Sequence, residues 1–314
     1  MTETGRAALP LPSGLGLGCW QFGDMGWGPS DAQKSVALIH DAFDLGIRHL
    51  DTARDYGDGR SEEVIGQAIE AFSHDVFVSS KAHATSREET PSIVEGMLKR
   101  LRRTWLDLFS IHWPRTGLDL RPMMEALERL RAQGKIRFIG VSNFTAADME
   151  NASQAGRIDA CQLCYNLLWR YPEKEVIPWC RAHGVAMISY SSIAQGLLSD
   201  TPRSPTSFEA GDARGKTLYY REDVWPHVRQ SVAAMRDAAA RHGTPFSTLA
   251  LRWVLGRPGI ISSLVGARSR EQLEKNAAAA AGRNPPQIDE ELGRLSADAM
   301  RHIPDVGNIF NFYP

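Results

Sequence analysis

The 314-residue sequence has few cysteines and almost no net charge. Only four cysteines occur, and no second cysteine or histidine pair at ligand spacing accompanies Cys161 and Cys164. Neither a disulfide framework nor a metal site is therefore expected. The 36 lysines and arginines nearly balance the 37 aspartates and glutamates, which favours neither nucleic acid nor an anionic membrane as a partner.

Signals for membrane insertion or export are also missing. No run of about 18 apolar residues occurs, which argues against a membrane-spanning helix. Residues 1–12 lack a basic stretch followed by an apolar one, as a secretory signal would have. We therefore expect a cytoplasmic protein with no membrane partner.

Short apolar or β-branched runs alternate with longer amphipathic segments along the whole chain, and hydrophobic residues make up 43% of it. This alternation is typical of βα units. The eight predicted strands are Leu15–Trp20, Ile47–Asp51, Val76–Ser80, Leu108–His112, Ile136–Val141, Ala160–Leu163, Val185–Tyr190 and Ile261–Val265. The helices predicted between them include Asp31–Leu45, Ser61–Phe72, Pro91–Thr104, Arg121–Ala132, Thr145–Ala155 and Glu173–His183.

Local signals mark the ends of several predicted helices. Ser61, Thr90 and Thr145 stand where an N-cap side chain accepts a hydrogen bond from a first-turn amide. Gly46 and Gly156 stand where a left-handed residue lets the chain leave a helix.

Eight parallel strands with their helices bury their surfaces best by closing into a barrel, because a wide open sheet leaves edges to protect. We predict a (β/α)8 TIM barrel that forms one domain over residues 1–314, with an extra C-terminal helix. An open, doubly wound sheet is the alternative, but the first βα turn lacks the Gly-x-Gly-x-x-Gly pattern such a sheet uses for dinucleotides. The segment Ser191–Arg221 is expected to be a long loop after strand seven that can act as a lid. The aromatic-rich tail His302–Pro314 is expected to cover an apolar surface.

Polar side chains occur at the carboxyl ends of three neighbouring strands. Strand two ends at Asp51, with Tyr56 five residues later, strand three runs into Lys81, and strand four ends at His112. In a barrel these ends converge on one pocket. A phenol with a pKa near 10 is a poor acid at neutral pH, but a nearby ammonium stabilises the phenolate. The four residues together therefore predict a proton-transfer site.

The same residues belong to a set of motifs that resembles the aldo-keto reductases, a family of nicotinamide-dependent barrel enzymes. The set spans nearly the whole chain in order, at spacings similar to those of the family. Its members are Gly16–Trp20, Asp51–Ala53 with Tyr56, Gly57, Ser61 and Glu62, Ser80–Lys81, Ile111–Pro114, Gly140–Phe144, Gln162 with Tyr165 and Asn166, Tyr190–Ser191, Ala194–Leu197, and Val265–Ser269 with Gln272 and Asn276.

The resemblance implies an NADPH-dependent reduction of a small carbonyl compound, either an aldehyde, a ketone or a sugar. Tyr56 would protonate the carbonyl oxygen as hydride arrives from the nicotinamide, and Asp51, Lys81 and His112 would complete a catalytic tetrad. Arg268 would fork onto a phosphate dianion and so favour NADPH over NADH. The residues that the resemblance assigns to the cofactor are Ser142, Asn143, Gln162, Tyr190, Ser191, Gln195, Gly196, Leu197, Gly266, Arg268, Gln272 and Asn276.

The resemblance also indicates an aromatic, mainly apolar substrate pocket. Trp20 and Trp113 match pocket-lining positions, and Trp27 lies on the same first loop as Trp20. Arg54, shortly before the proposed acid, could add polar selectivity at the rim.

Three other functions remain open on the sequence. One is a nicotinamide-binding regulatory β subunit of an ion channel, which can keep the tetrad. Another is an NAD-dependent sugar or alcohol dehydrogenase that works in the oxidative direction. The third is a metal-dependent hydrolase using Asp51, His83 and His112, but Lys81 would place a repelling charge within that metal cluster.

Overall fold

A computed structural model describes residues 9–11, 14–24, 26, 28, 30–70, 72, 75–115, 117–201, 204–205, 208 and 212–310. Eight parallel strands pair in chain order, and the first also pairs with the eighth, so the sheet is a closed barrel. This confirms the predicted TIM barrel and excludes the open sheet. The strands are β1 Leu15–Gly18, β2 His49–Asp51, β3 Phe77–Ala82, β4 Leu106–Ile111, β5 Ile136–Ser142, β6 Ala160–Cys164, β7 Ala186–Tyr190 and β8 Ile260–Val265.

The strands are buried on both faces, as parallel strands covered by helices are expected to be. One small cluster of buried side chains contains Phe77, Leu108, Ala160, Ile188 and Leu264, contributed by five strands. A much larger apolar cluster joins the strands to the surrounding helices. The rigid frame therefore holds the carboxyl ends of the strands at fixed positions around one opening.

Ten α-helices lie within the described residues. They are α1 Ala32–Asp44, α2 Arg60–Ile69, α3 Thr90–Arg100, α4 Arg121–Ala132, α5 Ala146–Ser153, α6 Val176–Ala182, α7 Trp225–Arg241, α8 Phe246–Leu255, α9 Arg270–Ala280 and α10 Pro286–Met300. Two of them, α7 and α8, lie between β7 and β8, and α10 is the additional C-terminal helix. None of the helices in the described part of the chain is long and apolar enough to cross a membrane.

The predicted helix ends are partly right. Thr145 caps α5 through a full capping box with Asp148, and Gly46 leaves α1 with φ of 78°. Ser61 is wrong as a cap, because it lies inside α2 and its hydroxyl donates to the carbonyl of Cys19. Thr90 is likewise inside α3, and its hydroxyl donates to the carbonyl of Ser86.

Gly156 is not left-handed in the structure. A Cβ at this position would lie 2.9 Å from Glu128 Cγ, so the residue provides space for a close approach instead. Several strand ends also differ from the prediction: β1 stops at Gly18, with Trp20 opening a 3-10 turn, β3 continues through Lys81 to Ala82, and β4 stops before His112.

The long segment after β7 is folded where it is described. It contains 3-10 turns at Ala194–Gly196, Ala213–Lys216 and Leu218–Tyr220. The C-terminal tail returns to it, since the amide of Leu218 donates to the carbonyl of Ile309 at 2.8 Å. Phe310 is buried there, whereas Phe312 and Tyr313 lie outside the described residues.

Candidate active site

A cavity of about 610 Å³ opens at the carboxyl ends of the strands. Its volume is typical of sites that bind small molecules or cofactors. Residues from both ends of the chain line it, which brings most of the predicted site together. The predicted residues among its lining are Trp20, Asp51, Tyr56, His112, Trp113, Ser142, Asn143, Gln162, Tyr190, Ser191, Gln195, Gly196, Gly266, Arg268, Gln272 and Asn276.

A buried ion pair lies beneath this cavity. Lys81 is a residue of β3 and is fully buried, and its Nζ donates to Asp51 Oδ1 at 2.7 Å and to the carbonyl oxygen of Thr52 at 2.6 Å. A buried charge is tolerated only when it is paired and hydrogen-bonded. The two contacts meet that requirement and fix the position of the ammonium group.

The other oxygen of the Asp51 carboxylate is also held. Asp51 Oδ2 accepts hydrogen bonds from Ser79 Oγ and from Gln162 Nε2, both at 2.9 Å. Ser79 in turn bonds His49, whose ring is buried inside the barrel. Burial lowers the pKa of His49 to about 4, so its imidazole is neutral at neutral pH. The groups that hold Asp51 Oδ2 are therefore uncharged, and Lys81 is the cation that pairs with this carboxylate.

Tyr56 lies in the turn between β2 and α2 and stands over the ammonium. Lys81 Nζ is 5.1 Å from the centroid of the Tyr56 ring, and the indole of Trp20 stacks against that ring with centroids 6.0 Å apart. The turn is tight because Gly57 has φ of 65° and a Cβ there would come within 2.1 Å of the Gly23 carbonyl oxygen. Glycine at 57 therefore lets the chain place Tyr56 at this point.

This arrangement places the phenol ring of Tyr56 beside a fixed positive charge. An ammonium near a phenol stabilises the phenolate that remains after proton transfer. The half-buried ring of Tyr56 also faces the cavity. The geometry can support acid catalysis on a molecule bound in the cavity.

His112 follows β4 and forms the wall next to Tyr56. Their rings meet edge to face with centroids 5.9 Å apart. Burial lowers the pKa of His112 to about 4, which keeps the ring neutral near neutral pH. Its Nδ1 lies 3.9 Å from Asp55 Oδ2, beyond hydrogen-bond distance. The ring can present its other nitrogen, Nε2, to the cavity.

A second set of polar groups lies at the carboxyl ends of β5 and β7 and within β6. Asn143 has a left-handed backbone with φ of 61°, and its Nδ2 donates to the carbonyl oxygen of His112 at 3.0 Å. The hydroxyl of Tyr190 donates to Asn143 Oδ1 at 2.6 Å. Ser142 and Gln162 complete this polar wall, which can bind a planar carboxamide.

The segment that follows Tyr190 carries backbone strain. Ser191, Ala194 and Gln195 all have positive φ, between 47° and 55°, although none of them is glycine. Such strain is frequent at binding sites, where the loop geometry serves a ligand. Gln195 Oε1 is buried and has no hydrogen-bond partner among the described residues. This polar loop and its unsatisfied oxygen fit the polar body of an extended cofactor.

The far end of the cavity is formed by the turn between β8 and α9. The amide of Arg268 donates to Gln272 Oε1 at 2.8 Å, and the Arg268 side chain is exposed at the rim. Ser269 caps α9 through the Gln272 amide. Gly266 keeps this turn close to the opposite wall, because a Cβ there would meet Gln21 Oε1 at 3.3 Å. The rim can therefore offer a cation to an anionic group.

Two of the predicted cofactor and pocket residues do not line the cavity. Arg54 is exposed outside the lining, and Leu197 is buried in the core. Trp27 lies outside the described residues. Phe310 lines the cavity but was not predicted to do so, although the aromatic tail was expected to cover an apolar surface. Its ring meets that of Trp20 edge to face, with centroids 5.8 Å apart.

The grouping of Asp51, His83 and His112 on which the less favoured hydrolase alternative depends is not found in the structure. Asp51 is occupied by Lys81, Ser79 and Gln162. His83 instead lies beside Asp55, with Nε2 3.2 Å from Oδ2.

Comparison with known proteins agrees with this geometry. The model of the Aldo/keto reductase family matches residues 14–290. Aldo-keto reductase YhdN of Bacillus subtilis (strain 168) is 33% identical over 279 residues, covering 83% of each chain. The NADH-specific methylglyoxal reductase of Escherichia coli (strain K12) is 31% identical over 314 residues, covering 92% of this chain and 95% of that one.

Solved structures give the same result. A glycerol dehydrogenase from Gluconobacter oxydans aligns with a TM-score of 0.82 and 27% identity, covering 96% of this chain and 94% of that one. An aldo/keto reductase from Klebsiella pneumoniae, in complex with NADP and acetate, aligns with a TM-score of 0.74 and 28% identity, covering 96% and 95%. The chain therefore belongs to the aldo/keto reductase family and is an NAD(P)H-dependent oxidoreductase.

Proposed function

We propose that this oxidoreductase uses NADPH to reduce small carbonyl compounds, with Tyr56 as the general acid. The observation that carries the proposal is the position of Tyr56 over the buried Lys81–Asp51 pair, at the edge of the cavity. We also propose that residues 1–314 act as one cytoplasmic domain.

The cofactor, when bound, supplies the hydride that reaches the carbonyl carbon. Ser142, Asn143 and Gln162 are proposed to hold its carboxamide, and the ring of Tyr190 to lie against the nicotinamide. Ser191, Gln195, Gly196 and the chain near Leu197 are proposed to face the pyrophosphate. The adenosine end is assigned to Gly266, Arg268, Gln272 and Asn276.

The protein supplies the proton that the carbonyl oxygen receives. As the carbonyl oxygen gains charge, the Tyr56 hydroxyl gives it a proton, and an alcohol results. The phenolate left behind is stabilised by Lys81 and later takes a proton from solvent. Asp51 pairs with Lys81 and orients it, and His112 Nε2 donates a hydrogen bond to the same carbonyl oxygen. These groups act where charge develops, as transition-state stabilisation requires.

The walls support a small substrate with an apolar part. Trp20, Trp113 and Phe310 surround the cavity near Tyr56. Aldehydes and small ketones, including 2-oxoaldehydes such as the methylglyoxal named for the E. coli relative, are the first compounds to test. The reverse reaction deserves the same assay, because the structural neighbour from Gluconobacter oxydans is a glycerol dehydrogenase.

The preference for NADPH is proposed from Arg268. Its exposed guanidinium at the cavity rim can form paired hydrogen bonds with a phosphate. The Klebsiella pneumoniae structure contains NADP, whereas the E. coli relative is NADH-specific, so relatives of this chain differ in the cofactor they use. For this chain the preference is assigned to Arg268.

The direct test is titration of the purified protein with NADPH and NADH, followed by tryptophan fluorescence, and then NADPH oxidation with methylglyoxal and 4-nitrobenzaldehyde. The proposal expects tighter binding of NADPH and turnover of at least one aldehyde. Binding without turnover in either direction would instead favour a regulatory subunit.

A further inference from the structure

His112, which lines the cavity, and two neighbouring side chains outside its lining, Asp55 and His83, lie in positions typical of metal ligands. Asp55 Oδ2 is 3.2 Å from His83 Nε2 and 3.9 Å from His112 Nδ1. One ligand atom from each residue lies within 4.8 Å of those of the other two. Two imidazoles and one carboxylate are a common ligand set for Zn²⁺.

The atoms that face this point are short of hydrogen bonds. The His112 side chain is 8% exposed, and its Nδ1 is buried with no hydrogen-bond partner in the described part of the chain. Asp55 Oδ2 is also a buried atom without a well-aligned hydrogen bond, although His83 Nε2 lies 3.2 Å away. Buried polar atoms are usually satisfied, so two of them aimed at one point suggest a missing partner.

The arrangement of the three ligand atoms resembles that around a tetrahedrally coordinated ion. Ligands about 2.0–2.1 Å from Zn²⁺ are separated from each other by roughly 3.4 Å. The 3.2 Å separation already fits, whereas the 3.9 Å separation and the distance between the two histidine nitrogens, at most 4.8 Å, require the side chains to close. The side chains of His83 and Asp55 are 43% and 41% exposed, so they can move toward the more rigid His112.

The charge balance also allows a cation. Lys81 acts on His112, but its ammonium is offset by Asp51 at 2.7 Å. Asp51 therefore offsets the repulsion between the Lys81 ammonium and a bound metal ion that the sequence predicts. Asp55 supplies a negative charge of its own at the ion's position.

We propose that Asp55, His83 and His112 form a binding site for a divalent transition metal ion, best matched by Zn²⁺, with a fourth position left for water. The ion would bind His112 through Nδ1, which leaves the ring proton on Nε2. This consequence rests on the proposed function, where Nε2 donates to the carbonyl oxygen. Binding itself does not depend on that function.

The test is calorimetric titration of the untagged, EDTA-treated full-length protein with ZnCl₂, followed by the visible spectrum of a CoCl₂ complex. His83→Gln removes one ligand, and His227→Gln is the matched control, because His227 is an exposed histidine that stacks on His302 away from the cluster. Since losing even a supporting contact to a ligand costs about 10–100-fold in affinity, losing the ligand should cost at least tenfold.

The expected result is one Zn²⁺ per chain in the wild type and in His227→Gln, a loss of at least about tenfold in affinity for His83→Gln, and cobalt bands of a four-coordinate ion. Asp55→Asn, which keeps the side-chain volume, should weaken binding similarly. Equal Zn²⁺ binding by His83→Gln and wild type, or no binding by wild type, would overturn the proposal. Because none of these readouts uses turnover, they remain valid if the protein reduces no carbonyl compound.

Discussion

The ammonium of Lys81 lies 5.1 Å from the ring centroid of Tyr56, and this relationship links the barrel to its chemistry. Lys81 belongs to β3, and Tyr56 to the turn after the neighbouring strand β2, so parallel pairing of the two strands sets their separation. Asp51, at the end of β2, accepts a hydrogen bond from the same ammonium and fixes its position.

Replacing Lys81 by methionine tests the role of the charge. We expect Lys81→Met to reduce kcat by at least about 100-fold, because the phenolate of Tyr56 loses its stabilising cation. The variant should also lose about 3–5 kcal/mol in the free energy of unfolding, since Asp51 becomes an unpaired buried charge. Steady-state kinetics and urea unfolding measure the two effects.

The double variant Lys81→Met/Asp51→Asn separates them. It should recover much of the stability but none of the activity, because the unpaired charge is gone and the cation is still missing. Recovery of turnover in the double variant would show that Lys81 acts only through folding.

Arg268→Ala tests the cofactor preference. The loss of a charge-assisted contact to a phosphate should weaken NADPH binding by about 10–100-fold and leave NADH binding nearly unchanged. Fluorescence titration of both cofactors provides the measurement. Arg283→Ala is the matched control, because Arg283 is an exposed arginine outside the cavity lining. Equal weakening of NADPH and NADH would contradict the assignment of Arg268 to a phosphate.

Gly57→Ala tests the tight turn that positions Tyr56. A Cβ at 57 would meet the Gly23 carbonyl oxygen at 2.1 Å, so the turn must shift and kcat should fall. Gly134→Ala is the control: it has a similar φ of 72°, and a Cβ there has nothing within 4 Å. The control should lose about 1–2 kcal/mol from backbone strain alone, and its kcat should stay normal. Similar kcat values for the two variants would show that the turn does not position the acid.

His49 predicts a specific pH dependence of stability. Burial lowers its pKa from 6.5 to about 4 in the folded protein. The unfolded chain therefore takes up a proton first, and the stabilising contribution is complete above pH 6.5 and declines as the pH falls toward 4. The full effect is about 3 kcal/mol.

Urea unfolding of wild type and His49→Gln at pH 7 and pH 4.5 provides the measurement. The variant should lose less stability between the two pH values than the wild type does, whatever its stability at pH 7. An equal loss in both proteins would contradict a neutral, buried His49.

Much of the fold could be predicted because its signals are local. The alternation of short apolar runs with amphipathic segments gave all eight strands, and the barrel brings the strand ends of Asp51, Lys81 and His112 together. Ser61 was misassigned as a cap because its partner, the Cys19 carbonyl, comes from a distant loop. The burial of that hydroxyl cannot be read from helix periodicity.

The missed features depend on contacts between separate loops. Phe310 reaches Trp20 only because the tail pairs with the loop after β7. The approach of Asp55 to His83 and His112 depends on two turns and on side-chain rotamers, so the sequence did not predict it. Strand positions follow from local pattern, whereas loop contacts require the folded chain.

The measurement that tests the central claim most directly is a comparison of Tyr56→Phe with the wild type, using NADPH titration and turnover of an aldehyde the wild type reduces. The substitution removes only the hydroxyl group that carries the transferable proton. Cofactor affinity should therefore stay within about twofold, while kcat falls by about 100-fold or more. Ordinary turnover by Tyr56→Phe would contradict the account.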